Sequence, residues 1–139
     1  MKRKSLSAKR KNLKNSIFSP QIKNKRIKKI YQRFEFLIKQ KEFKGYLVAV
    51  SGGADSLALV YLSKCYQIKN KDKKFHYVHV DHNLRNTSSK EAQTLKKILR
   101  KFKIECKIIT WKKKTNTKKT QSESRDYRFN VFESFYLYF

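Results

Sequence analysis

Acidic side chains are scarce in this sequence. Ten Asp and Glu stand against 36 Lys and Arg, a formal net charge of +26 over 139 residues. No acid precedes Glu35. Three glycines and one proline are too few for a collagen-like chain or a Gly/Pro-rich disordered one. The two cysteines, Cys65 and Cys106, lie far apart and form no CxxC. That argues against a disulfide framework and removes the ligands of a Cys-based metal site, so both thiols read as core. No apolar run approaches the length that spans a bilayer. The charged N-terminus lacks the apolar stretch of a secretory signal. No membrane association is expected.

What is present is enough for one domain with a modest core. Hydrophobic residues make up 39% and aromatics 14%, and Leu, Ile, Val and Phe recur in blocks rather than thinly spread. A domain this basic attracts polyanions. Nucleic acid, bound by phosphate neutralisation and counterion release, is the foremost class of partner. An anionic membrane surface is the rival. A solvated Lys-rich surface is the plainer account, because Lys, Asn, Ile, Phe and Tyr, all with AT-rich codons, are plentiful.

Along the chain, residues 1–25 read as a disordered basic tail, with an organelle transit peptide and an RNA-contacting arm as alternatives. Residues 26–139 read as the folded part. Ile27, Ile30, Tyr31, Phe34, Leu37 and Ile38 follow helical spacing, with Lys28, Lys29, Arg33 and Lys39 on the wet face. Tyr46 to Val50 is a short apolar run of the kind buried on both faces of a parallel sheet. Ser51-Gly52-Gly53-Ala54-Asp55-Ser56 follows it, and a helix through Leu57, Val60 and Leu62 follows that. Phe75 to Val80 is a second strand and ends in Asp81-His82-Asn83-Leu84-Arg85. Ser88 with Glu91 predicts a capping box for a helix whose stripe is Ala92, Leu95, Ile98, Leu99 and Phe102. Cys106 to Ile109 is a third strand, with Trp111 just beyond. Residues 112–120 read as a loop. Ser122 or Ser124 then starts a last helix carrying Tyr127, Val131 and Phe135 on one side. The alternation β-α-β-α-β predicts an α/β doubly wound parallel sheet.

The turn after the first strand is the chemical centre. Gly52 and Gly53 let an anion approach the backbone, and the helix start behind them offers unbonded N–H groups and a positive dipole end. Ser51 and Ser56 add hydroxyls. Asp55 would repel a phosphate, and makes sense where Mg²⁺ bridges it to phosphate oxygens. Neither G-x-x-x-x-G-K-[ST] nor G-x-G-x-x-G occurs, which excludes a Walker-type loop and a dinucleotide fingerprint. His76, His79 and His82 recur every third residue, but a strand turns His79 away from the other two. That weakens a zinc reading and leaves His82, at the strand end, the best functional histidine.

Ser51-Gly52-Gly53-Ala54-Asp55-Ser56 resembles the signature of the PP-loop ATP pyrophosphatases. Val80-Asp81-His82-Asn83-Leu84-Arg85 resembles the V-D-H-x-L-R of the tRNA(Ile)-lysidine synthetases within that superfamily. Arg125-Asp126-Tyr127-Arg128-Phe129 is similar to a third, weaker segment, A-R-x-x-R-Y, with Ser124 and Phe129 as departures. The tRNA-thiolation relatives usually carry CxxC cysteines, which this chain lacks. The resemblance covers about residues 44–132.

It implies a nucleotide-binding fold of the adenine nucleotide alpha-hydrolase kind and an ATP-dependent ligase. Such an enzyme joins lysine to C2 of the wobble cytidine of tRNA(Ile) with a CAU anticodon, through an adenylated tRNA. Carried over by motif, Ser51, Gly52, Gly53, Ala54, Asp55 and Ser56 would hold ATP, and Asp81 would line its adenosine side. Asp55 would help position Mg²⁺. Asp55, His82 and Arg125 are the implied catalytic residues, and Arg85 and Arg128 the implied RNA contacts. The family's later H-x-x-D-D-x-x-E-T-like segment has no counterpart, and the end of the sequence is rich in Phe and Tyr. The chain is therefore read as an N-terminal portion, truncated or encoded in pieces, its site completed by a second chain or a homodimer. A basic RNA-binding protein with a relic loop, and another PP-loop member acting on a small substrate, are the alternatives. The expected compartment is the cytoplasm, or a plastid or mitochondrion if the gene is organellar.

Overall fold

Asn24 opens the first helix: its Oδ1 accepts from the N–H groups of Arg26 at 2.9 Å and Ile27 at 3.3 Å. The structure, a computed structural model, describes Phe18 and residues 22–41, 43–112 and 120–136. Most of the expected basic tail and of the 112–120 loop lie outside the described residues, as do Tyr138 and Phe139.

Helix α1 spans Lys25–Lys39. Tyr31 is buried, and Phe34 and Ile38 pack beside it on one stripe. Ile30 and Leu37, expected on that stripe, are 58% and 54% exposed. They sit about 100° round the helix from Tyr31 and Ile38, which takes them off the packed face.

Three strands follow: β1 (Gly45–Ala49), β2 (Lys74–Asp81) and β3 (Cys106–Thr110). They form a parallel sheet in the order β1-β2-β3. The register sets Val48 beside Tyr77 and Tyr77 beside Cys106, so one buried row crosses the sheet. Helix α2 (Ala54–Lys69) joins β1 to β2, and helix α3 (Ser88–Lys101) joins β2 to β3. Both crossovers step in the same direction, which places both helices over this row. Ser63 of α2 meets the Tyr77 hydroxyl at 3.2 Å, and Leu95 and Leu99 of α3 join the same core. Cys65 and Cys106 lie in that core, and neither is in a disulfide. Tyr31 also belongs to it, and its buried hydroxyl has no hydrogen-bond partner.

Helix α4 (Gln121–Tyr136) covers the opposite face of the sheet. Its Phe129 and Phe132 border a hollow of about 460 Å³ with Leu47 and Ala49 of β1, and Lys107 Nζ of β3 lies 4.6 Å from the Phe135 ring centre. Helices on both faces make the sheet doubly wound, as the alternation predicts.

Two expectations need correction. The capping box forms at α4, not α3. Thr120 N–H donates to Glu123 Oε2 at 2.9 Å and Glu123 N–H to Thr120 Oγ1 at 3.2 Å, a reciprocal T-x-x-E cap. At α3 the helix starts one residue early for Ser88 to cap it. Ser88 Oγ donates instead to the Arg85 carbonyl at 2.8 Å. Strand β1, expected to be buried on both faces, is buried only at Val48, while Leu47 is half-buried and Ala49 exposed. Among the described residues β1 is an edge strand, and α4 covers its outer face incompletely.

Candidate nucleotide-binding site

The site is built where strands end. Val50 continues the β1–β2 pairing by donating its N–H to the Val78 carbonyl at 2.8 Å. The chain then turns sharply, and Gly52 takes a φ of +89°, a conformation costly for any residue with a Cβ. Gly53 serves as N-cap of α2 without any side-chain cap. The first-turn N–H groups of α2 therefore point outward with the positive end of its dipole.

Inside the turn, donors converge on one atom. Ser56 Oγ accepts from the N–H groups of Ser51 and Gly52, each at 3.2 Å, and lies 3.0 Å from Ser51 Oγ. It donates in turn to the Gly53 carbonyl at 2.9 Å. Ser51 Oγ accepts from Gly53 N–H at 3.3 Å. These bonds use the turn's own N–H groups and leave those of the first turn of α2 for an anion. Asp55 stands exposed in the first turn of α2.

The second segment is held by a buried carboxylate. Asp81 is 3% exposed. Its Oδ1 accepts from the N–H of Asn83 at 2.8 Å and its Oδ2 from the hydroxyl of Ser89 at 3.0 Å. The first bond is an Asx turn, and it supports Asn83 at a φ of 49°. Burial alone would raise the Asp81 pKa. The bonds from Asn83, Ser89 and Ser88, with the nearby His79, together hold the carboxyl below its ordinary value. His79, on the same face of β2 as Asp81, meets the Val50 carbonyl with Nδ1 at 2.6 Å.

Both segments open onto one cleft of about 1040 Å³ at the carboxyl ends of the strands. Ser51 and Gly52 line it from the first segment, Asp81 through Arg85 from the second, and Lys90, Glu91 and Thr94 from α3. Arg128 and Phe132 close it from α4. In open α/β sheets ligands bind at this end.

A family model of the PP-loop domain matches residues 22–137. The chain belongs to the PP-loop domain family. Similar curated proteins carry the name tRNA(Ile)-lysidine synthase. One from Rickettsia rickettsii (strain Sheila Smith) is 30% identical over 112 residues, which are 78% of this chain and 23% of that protein. One from Buchnera aphidicola subsp. Schizaphis graminum is 36% identical over 104 residues, 74% and 23% of the two chains. One from Brucella anthropi is 31% identical over 106 residues, 76% and 22% of the two. The chain thus spans about a quarter of the length of the curated relatives it matches. No solved structure matches it.

Within this PP-loop domain the sequence-predicted residues divide. Ser51, Gly52, Asp81, His82, Arg85 and Arg128 meet at the cleft. Gly53, Ala54, Asp55 and Ser56 form the turn and helix start beside it. Arg125 does not reach the lining. Its guanidinium lies 5.7 Å from the Phe129 ring centre. Sequence reasoning set His79 aside, because strand parity turns it from His82. Parity is kept, yet at the strand end both side chains border the cleft. Trp111 and Tyr127 were missed as well. Their rings stack at 4.9 Å and 13°, and the His82 ring meets Trp111 edge-on at 6.2 Å. The available signal was the position of Trp111 one residue past a strand that ends at the cleft.

Among the described residues no group of three or more His, Cys, Asp or Glu is placed to hold a metal. Asp55 alone fits only a cation that takes most of its ligands from phosphate and water, as Mg²⁺ does. Among the same residues, no helix is long and apolar enough to cross a membrane.

Proposed function

We propose that this PP-loop chain serves ATP-dependent tRNA modification, the ligation of lysine to C2 of the wobble cytidine in tRNA(Ile) with a CAU anticodon. One observation carries the reading: the Ser51–Ser56 turn and the Asp81–Arg85 segment open onto one cleft at the strand ends. The names of the matched relatives and the charge of +26 support it.

The chemistry has two displacements. The cytidine O2 attacks the α-phosphorus of ATP and pyrophosphate leaves. The lysine amine then attacks C2, the C2–O bond breaks and AMP leaves. The N–H groups at the start of α2, which no side chain caps, hold the phosphates. Mg²⁺, when bound, offsets phosphate charge, and Asp55 is the carboxylate that would hold it. Asp81 keeps the cleft wall in shape through Asn83 and Ser89 and borders the adenosine side. His82, on the cleft wall, is the proton carrier for the attacking amine. Arg85 and Arg128 bind RNA phosphate. Arg125, off the lining as the structure stands, enters the reaction only if bound RNA draws it from Phe129.

The test is release of AMP and pyrophosphate by the purified chain that requires both lysine and this tRNA and is abolished by Asp55→Ala. A second reading, a non-catalytic RNA-binding protein with a relic loop, is favoured by the net charge of +26. It predicts tRNA binding that weakens steeply with salt, ignores ATP and yields no AMP.

A further inference from the structure

The sole tryptophan of the sequence stands at a position the proposed reaction does not use. Trp111 follows β3 directly, and its backbone N–H donates to the Asp81 carbonyl at 2.8 Å. The β2–β3 pairing thereby continues one residue beyond β3 and fixes Trp111 beside the cleft wall. Its indole stacks on Tyr127 of α4, and the ring of His82, a cleft residue, meets it edge-on. Both stacked rings are only half-buried.

Packing alone accounts for part of this, because the stack ties α4 to the end of the sheet. It does not account for the surroundings. The Trp111 ring meets His82, which lines the cleft that begins at the phosphate turn. Arg128, next to Tyr127, lines that cleft, and the exposed Lys112 follows Trp111. Near-parallel aromatic rings, partly in solvent and flanked by cations, are what an unpaired nucleobase binds: stacking holds the base and the cations meet its phosphates.

We propose that the Trp111–Tyr127 stack, edged by His82, is a platform on which an unpaired base of the RNA stacks, apart from the ATP cradle at residues 51–56. This rests on the reading of RNA as the substrate above.

Trp111 is the only tryptophan, so the emission of the intact chain reports on this site alone. The probes are a hairpin RNA with an unpaired loop, the same hairpin with an abasic loop, and Mg·ATP without RNA. Binding is followed in parallel by electrophoretic mobility. The looped RNA is expected to quench the emission. The abasic RNA is expected to bind through its phosphates and leave the emission unchanged. Tyr127→Ala should weaken the looped RNA roughly fivefold to a hundredfold and spare the abasic one, while Tyr127→Phe keeps the affinity. Far-ultraviolet circular dichroism shows that each variant is folded. Looped RNA that binds without quenching, or equal quenching by the abasic RNA, overturns the platform and leaves the proposed function standing. Equal quenching by Mg·ATP alone overturns it too, since the stacked base would then be adenine of ATP. No binding of either RNA defeats the RNA reading itself.

Discussion

His79 donates its Nδ1–H to the Val50 carbonyl at 2.6 Å. A carbonyl only accepts, so the neutral ring carries its proton on Nδ1 and keeps Nε2 as an acceptor. The bond joins the end of β1 to β2 just before the phosphate turn. Replacing His79 with Ala leaves the Val50 carbonyl unpaired, and a loss of about 1–2 kcal/mol in chemical unfolding is expected. His79→Asn, whose amide reaches about as far as Nδ1, should recover most of it.

Gly52 makes a sharper prediction. A Cβ there would meet Leu95 Cδ2 at 3.6 Å, an ordinary contact. The φ of +89° is what excludes a side chain. Gly52→Ala should therefore cost about 1–2 kcal/mol through the backbone alone, and loosen Mg·ATP binding as the turn relaxes. Shortening Leu95 to make room should not rescue the variant. Rescue by Leu95→Ala would show that crowding, not conformation, is the constraint.

Asp81 ties stability to pH. Its carboxyl is held below its ordinary value by the bonds from Asn83, Ser89 and Ser88, with the nearby His79. A depressed folded value means the stabilisation is full above the unfolded pKa of about 3.9 and is lost as pH falls through the folded value. Asp81→Asn should lower the urea midpoint at neutral pH and flatten its fall below about pH 4. An acid limb unchanged by the substitution would remove Asp81 from the titration.

Tyr31 points the other way. Burial pushes its hydroxyl up to about 12, and that buried hydroxyl has no hydrogen-bond partner. Leaving such a group unsatisfied costs about 1–3 kcal/mol. Tyr31→Phe should raise the melting temperature, whereas Tyr31→Ala should lower it by opening a cavity beside Phe34 and Tyr66.

Much of this architecture was legible in the residues. Apolar runs bounded by glycine or charge marked all three strands, and the order of elements implied the parallel sheet. The two polar segments at the ends of β1 and β2 located the cleft. Other features depend on partners that periodicity does not see. Ile30 and Leu37 match the helical period but lie off the packed stripe. Ser88-x-x-Glu91 and Thr120-x-x-Glu123 are equal as patterns, and the point where each helix actually starts separates them. The apolar sequence of β1 suggested burial on both faces, which an edge strand does not attain. His79 was set aside on strand parity, which the structure keeps, but the cleft takes residues from both faces where β2 ends. Trp111 and Tyr127 are sixteen positions apart and meet only through the docking of α4.

The account stands on the Ser51–Ser56 turn as an ATP site, and the most direct test is the melting temperature of the intact chain with and without Mg·ATP. A ligand that binds only the folded state stabilises it by RT ln(1 + [L]/Kd), about 2.7 kcal/mol at a hundredfold excess over Kd. The account predicts a rise that grows with Mg·ATP, shrinks when Mg²⁺ is chelated, and is lost in Asp55→Ala. A melting temperature unmoved at millimolar Mg·ATP would contradict it.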